Sequence, residues 1–121
     1  MSEALLEGRR ILVVEDEYFI ADAMRRGLRK LGAIVLGPAP SVDRALALLD
    51  AEPVVDGAIL DVNLGGEKVF PVADALTARG ARFVLATGYG AADLPSAYAD
   101  APRCEKPCDI HTLAHALAPG A

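Results

Sequence analysis

Two adjacent carboxylates, Glu15 and Asp16, follow the apolar run Ile11-Leu12-Val13-Val14, and Glu17 adds a third. A short apolar run that leads into a helical pattern reads as a buried parallel strand. Glu15 and Asp16 would then stand at the carboxyl edge of a sheet, where open α/β sheets place their ligand sites. Carboxylates held together repel unless a proton or a cation intervenes. Hard oxygen ligands at such an edge suggest Mg²⁺. The competing reading is a solvated acidic helix start, because acidic side chains also favour a first helical turn.

Further polar groups follow apolar runs in the same way. Asp61 follows Ala58-Ile59-Leu60, with Asn63 two residues on, and Thr87 follows Phe83-Val84-Leu85-Ala86. Lys106 follows a last short strand and precedes Pro107. In a parallel sheet all strand C-termini share one edge, so these groups converge with Glu15 and Asp16. Singly, each has an ordinary explanation as a turn, cap or solvated residue. Together they repeat one order, acidic pair, Asp, Thr, Lys, at successive strand ends.

The elements that must position them alternate. Strands are expected at about 10–15, 33–37, 55–60, 82–87 and 102–105. Between the first two, Tyr18 to Leu31 carries Phe19, Ile20, Ala23, Met24, Gly27, Leu28 and Leu31 on one inward stripe, and Gly32 stops the helix. Ser41 can cap a second helix whose core side is Val42, Ala45, Leu46 and Leu49. Phe70 to Ala78 forms a third, with Pro71 tolerable only in a first turn and Gly80 beyond its end. Ala91 to Ala101 is expected as a short, weakly held fourth helix, interrupted by Pro95. Asp109 caps the last, which shows Ile110, Leu113, Ala114 and Leu117. Five strands alternating with five helices specify an α/β, doubly wound parallel sheet. The order 2-1-3-4-5 is the fold-level expectation for this size.

Composition narrows the function. With 121 residues, residues 1–121 fit one domain, and a hydrophobic content of 53% supplies a real core. A net charge of −5 argues against nucleic acid as a partner, since phosphate contacts need a basic face. Arg25, Arg26, Arg29 and Lys30 are spaced as the polar face of one helix. No apolar stretch approaches the ~20 residues of a membrane span, so no membrane association is expected. Residues 1–10 lack the order of a signal peptide. A cytoplasmic protein with Cys104 and Cys108 reduced is expected. Cys104, Cys108, His111 and His115 are all zinc-ligand types, but their spacing is far shorter than a zinc-finger loop, and Cys104 reads better as a small buried group.

The strings Val13-Val14-Glu15-Asp16, Leu60-Asp61-Val62-Asn63-Leu64, Ala86-Thr87-Gly88 and Glu105-Lys106-Pro107 resemble the receiver domain of bacterial two-component response regulators over nearly the whole chain. The resemblance implies a flavodoxin-like receiver fold, with one receiver domain over 1–121 and no output domain. It implies that Asp61 accepts a phosphoryl group from a histidine kinase or phosphotransferase. It further implies that Asp16, Asp61 and the backbone carbonyl of Asn63 hold Mg²⁺, with Glu15 acting through a water. Phosphoryl transfer is mostly positioning plus charge neutralisation. Lys106 suits it as a point charge on one phosphoryl oxygen, and Thr87 as a hydroxyl donor to another. The output would be contact with a downstream protein, or drainage of phosphate from a kinase. Self-phosphorylation and self-dephosphorylation would be its only chemistry, so it is not an enzyme in the ordinary sense. A cis Lys106–Pro107 bond is also implied, as in receivers generally.

The chain departs from that pattern at Arg103, where receivers commonly carry Tyr or Phe. An aromatic appears instead at Tyr89, and Phe83 to Gly90 is similar to the "FAT GUY" subgroup of single-domain receivers, with Phe83 displaced. Tyr89 is therefore expected to act with Thr87 as the moving switch. The alternative function is a phosphorylation-independent binding module that keeps the fold. A phosphoaspartyl hydrolase would want a second Asp where this chain has Asn63. A nucleotide-binding domain would want a glycine fingerprint after the first strand, which is missing.

Overall fold

The computed structural model describes residues 5–88 and 94–118. Its elements run β1 (Arg10–Val14), α1 (Tyr18–Lys30), β2 (Ile34–Ala39), α2 (Val42–Ala51), β3 (Gly57–Asp61), β4 (Asn63–Leu64), β5 (Glu67–Lys68), α3 (Phe70–Ala78), β6 (Arg82–Thr87), a 3₁₀ turn (Ser96–Tyr98), β7 (Arg103–Glu105) and α4 (Ile110–Leu117). The main sheet has the order β2-β1-β3-β6-β7, with every pair parallel. Counted within that sheet alone, this is the expected 2-1-3-4-5. β4 and β5 form a separate antiparallel hairpin.

Alternation along β1 sorts the core onto two faces. Leu12 and Val14 join Leu60, Val72, Leu76 and Leu85 under α2 and α3. Ile11 and Val13 join Leu28, Ile59, Leu113 and Leu117 under α1 and α4. β1 and β3 therefore have both faces covered, which is why they read as unbroken apolar runs. The turn and cap chemistry acts where the sequence places it. Ser41 Oγ accepts from the Arg44 amide at 3.2 Å, and Asp109 Oδ2 accepts from the Thr112 amide at 3.0 Å. Pro71 sits in the first turn of α3.

Three expectations change. The described residues hold four α-helices rather than five. Residues 91–93 of the expected fourth helix lie outside the described residues, and its remainder forms only the 3₁₀ turn after an extended Pro95 (φ −54, ψ 148). Too few apolar side chains are available there to pay for ordering a longer helix. Phe19 is 85% exposed and Ile20 only half-buried, so the inward stripe of α1 consists of Ala21, Met24 and Leu28. The β4–β5 hairpin was not anticipated. Its two-residue turn is Gly65-Gly66, at φ +58 and +93, a conformation that favours glycine at both positions.

Candidate functional site

The carboxyl ends of β1, β3, β6 and β7 deliver the site. Hydrophobic burial draws β3 into the sheet centre, and Asp61 is carried in as its last residue, 5% exposed. Glu15 follows β1 and is 2% exposed, its amide bonded to the Ala39 carbonyl at 3.0 Å. Asp16, the next residue, is exposed. One carboxylate oxygen from each of Glu15, Asp16 and Asp61 lies within 4.8 Å of the others. Opposite them, Lys106 Nζ lies 2.9 Å from Glu15 Oε1 and 3.1 Å from Asp61 Oδ2.

This crowding shows in the proton affinities. Burial first, and the Glu15 charge second, push the Asp61 carboxyl up to about 6, against the opposing pull of Lys106. Burial also opposes the charge on Lys106, but its bonds to Glu15 and Asp61 more than offset this and raise its pKa. Glu15 Oε2 accepts from the Glu17 amide at 3.0 Å, whereas buried Oε1 has no well-directed hydrogen bond among the described residues and lies 2.9 Å from the Lys106 ammonium. A set of three carboxylates, one of them reluctant to ionise and another with an under-satisfied oxygen, fits a hard divalent cation such as Mg²⁺. Gly65 lies beside this set at φ +58, a conformation that strains other residues, and a Cβ there would stand in ordinary contact with Asp16 Oδ2, at 3.4 Å.

The remaining expected residues divide. Asn63 begins β4 and its backbone N–H donates to Asp61 Oδ1 at 3.2 Å, orienting the carboxylate from the hairpin side. Thr87 ends β6, 2% exposed, and its hydroxyl donates to the Cys104 carbonyl at 3.2 Å. It therefore faces β7 in this state. The Lys106 amide donates to the Thr87 carbonyl at 2.7 Å, and the Lys106–Pro107 bond is cis. Tyr89 lies outside the described residues. Arg103 is exposed on β7.

Sequence reading missed several contributors. Glu67 Oε1 accepts from the Val42 amide at 3.2 Å, pinning the β4–β5 hairpin to the start of α2. Gly37–Pro38 is a second cis bond, at the end of β2. Most consequentially, Cys104 and Cys108 are joined in a disulfide, with Cα atoms 5.9 Å apart. The expectation of two reduced cysteines, with Cys104 as a small buried group, is thereby corrected. A four-residue separation gives no sequence signal for pairing. Among the described residues, the only His, Cys, Asp and Glu grouping able to share an ion is Glu15, Asp16 and Asp61. Cys104, Cys108, His111 and His115 form no such group.

No family model and no curated protein matches the chain. Solved structures do. The solution structure of SdrG from Sphingomonas melonis Fr1 is 42% identical with a TM-score of 0.78, covering 91% of this chain and 93% of that one. The BeF3-activated conformation of SdrG from Pseudomonas melonis Fr1 is also 42% identical, with a TM-score of 0.73 and coverage of 97% and 96%. A response regulator protein from Burkholderia pseudomallei, solved with a phosphorylated aspartic acid and a calcium ion, is 27% identical with a TM-score of 0.76, covering 92% of this chain and 67% of that one. An acidic pair, an aspartate and a lysine at the rim of a 2-1-3-4-5 sheet, in a chain this similar to SdrG over its length, make it a member of the response regulator receiver family.

Proposed function

We propose that this receiver is a phosphoacceptor of a two-component phosphorelay, phosphorylated on Asp61 by a histidine kinase or phosphotransferase in the cytoplasm. The observation that carries this reading is Asp61 itself, a buried carboxylate with Glu15 and Asp16 on one side and the Lys106 ammonium 3.1 Å away on the other. A carboxylate oxygen of Asp61 attacks the phosphorus, an O–P bond forms, and the bond from phosphorus to the donor nitrogen or oxygen breaks. Lys106 releases part of its hold on Asp61 and follows the new phosphoryl oxygen. Thr87 exchanges the Cys104 carbonyl for another phosphoryl oxygen by rotating its hydroxyl. Asn63 keeps the aspartyl group oriented through its backbone N–H.

Asp16, Asp61 and the Asn63 carbonyl would hold Mg²⁺, with Glu15 contributing through a water. When bound, the ion supplies neutralisation of the charge that gathers between the carboxylates and the phosphoryl group. The donor meets the rim beside the groove between α1 and α4, where Phe19 is 85% exposed. Tyr89 acts with Thr87 in passing the new charge to a downstream protein.

Incubation with acetyl phosphate and Mg²⁺, read by intact mass, tests the reading. One phosphoryl group should add to the wild type and none to Asp61→Asn. A wild type that stays unmodified, while binding its partners as well as Asp61→Asn does, would instead establish the phosphorylation-independent module.

A further inference from the structure

The bond between Cys104 and Cys108 encloses Glu105, Lys106 and Pro107, so it brackets the site lysine. It is tied to the site through the backbone as well. The Thr87 hydroxyl donates to the carbonyl of Cys104, and the Lys106 amide donates back to the carbonyl of Thr87. The strand that carries Cys104 is otherwise thinly held. β7 has three residues, pairs only with β6 and exposes Arg103 and Glu105.

As a fold staple this cross-link contributes less than a long-range one would, because closing so short a loop removes less freedom from the unfolded chain. Both cysteines are half-exposed, and Cys108 lines the open groove beside α1. Accessible disulfides are the ones that thiols reach and exchange. In a reducing compartment such bonds are usually transient rather than permanent. We propose that Cys104 and Cys108 are a thiol–disulfide exchange site whose oxidation state governs how firmly Lys106 is held against Asp61. The lysine's catalytic part rests on the phosphoacceptor reading above; the exchange chemistry does not.

The co-reactant is a small thiol of the glutathione class. Its thiolate attacks one cysteine sulfur, forms a mixed disulfide and expels the other cysteine as thiolate, which takes a proton. A second thiolate attacks the mixed disulfide and releases the small-molecule disulfide together with the remaining protein thiol. Two electrons and two protons enter the protein, and two small thiols leave as one disulfide. Oxidation by the small-molecule disulfide runs the same steps in reverse. With the bond closed, Cys104 and Cys108 hold the Lys106 turn closed at both ends. With it open, Lys106 depends on the Thr87 carbonyl and its ion pairs alone. Cys104 and Cys108 are thus positioning residues.

The test uses the whole chain at a series of glutathione to glutathione-disulfide ratios, quenched by alkylation and read by intact mass. Two thiols should appear together as the ratio rises. Hydrogen exchange in residues 103–108 should be several-fold faster in the reduced protein, with β3 unchanged. Phosphorylation by acetyl phosphate and Mg²⁺ should be several-fold slower in the reduced protein. Cys104→Ser with Cys108→Ser should match the reduced rate and ignore glutathione. Two thiols that never pair at any ratio, or exchange that is equal in both states, would overturn the proposal, as would equal phosphorylation rates. If neither state takes a phosphoryl group while thiols and exchange respond as described, the phosphoacceptor reading falls and the exchange site stands.

Discussion

β3 ends in Asp61 and β7 leads directly into Lys106, but the two strands hold their member of the pair by different means. All five residues of β3 are buried, with β1 on one side and β6 on the other. β7 has three residues, a single neighbouring strand and alternate side chains in water. The nucleophile is therefore placed by core packing, and the lysine by polar and covalent ties. A site of this kind has one fixed half and one half that can respond, as weakly packed elements do at low free-energy cost.

The largest expected effect breaks the fixed half. Leu60→Ala, one residue before Asp61 and fully buried, should cost about 3 kcal/mol in urea unfolding, from lost burial plus a cavity. Arg103→Ala, exposed on β7, should stay within about 0.5 kcal/mol. Similar losses at both positions would mean that the two strands are held alike.

Next comes the penalty built into Asp61. Its carboxyl stands at about 6 in the folded chain against an ordinary 3.8, so the folded chain holds this proton more tightly than the unfolded chain does. Its contribution to stability is thus fully present below about pH 4 and is lost as pH rises through about 6. Asp61→Asn escapes that loss. It should be more stable than wild type by roughly 1–3 kcal/mol at neutral pH, with the advantage gone below about pH 4. Mg²⁺ should narrow the gap at neutral pH by binding only the wild type. A constant difference between the two proteins from acid to neutral pH would show that Asp61 ionises normally. The same titration governs reactivity, so acetyl phosphate should modify Asp61 more slowly as pH falls below about 6.

Lys106→Ala acts on the responsive half. It removes the charge that opposes Asp61's raised proton affinity, so the midpoint of the rate-against-pH curve should move above 6 and the rate at neutral pH should fall about tenfold. Its cost in stability should be smaller than that of Leu60→Ala, because the side chain is partly exposed. A rate loss without movement of the midpoint would separate the lysine's catalytic part from its electrostatic one.

The same division decided what could be read in the residues. β1 and β3 are apolar runs buried on both faces, and their ends at Glu15, Asp16 and Asp61 follow from that pattern alone. Caps at Ser41 and Asp109 were legible because the short side chain acts locally on its own helix. Phe19 falls outside the core because helical spacing reports a stripe but not where the stripe ends. The Glu67 tie to Val42 joins residues far apart in the chain, which no local pattern encodes; Gly65-Gly66 signals a turn but not that two-residue strands flank it, and the spacing of Cys104 and Cys108 does not reveal the chain reversal that pairs them. The alanines and Pro95 of 91–101 predict a short fourth helix, whereas the described residues 94–101 hold a single 3₁₀ turn.

The smallest effect sharpens the boundary between the two halves. Tyr98 anchors the segment that leads into β7. Its ring packs on Phe70 and Phe83, with centroids 5.6 and 5.9 Å away, and its hydroxyl donates to the Asp74 carboxylate on α3. Burial, and then Asp74, hold that hydroxyl's pKa above its ordinary value, so it remains a donor at neutral pH. Tyr98→Phe keeps the ring contacts and deletes the hydroxyl with its bonds to Asp74 and Thr77, at a cost of about 1 kcal/mol because both partners are exposed and regain water. Hydrogen exchange in residues 94–101 should quicken while β3 is unchanged. Should β3 quicken equally, the segment before β7 would belong to the same cooperative unit as the sheet centre, and the responsive half would have to be confined to β7 and the Lys106 turn.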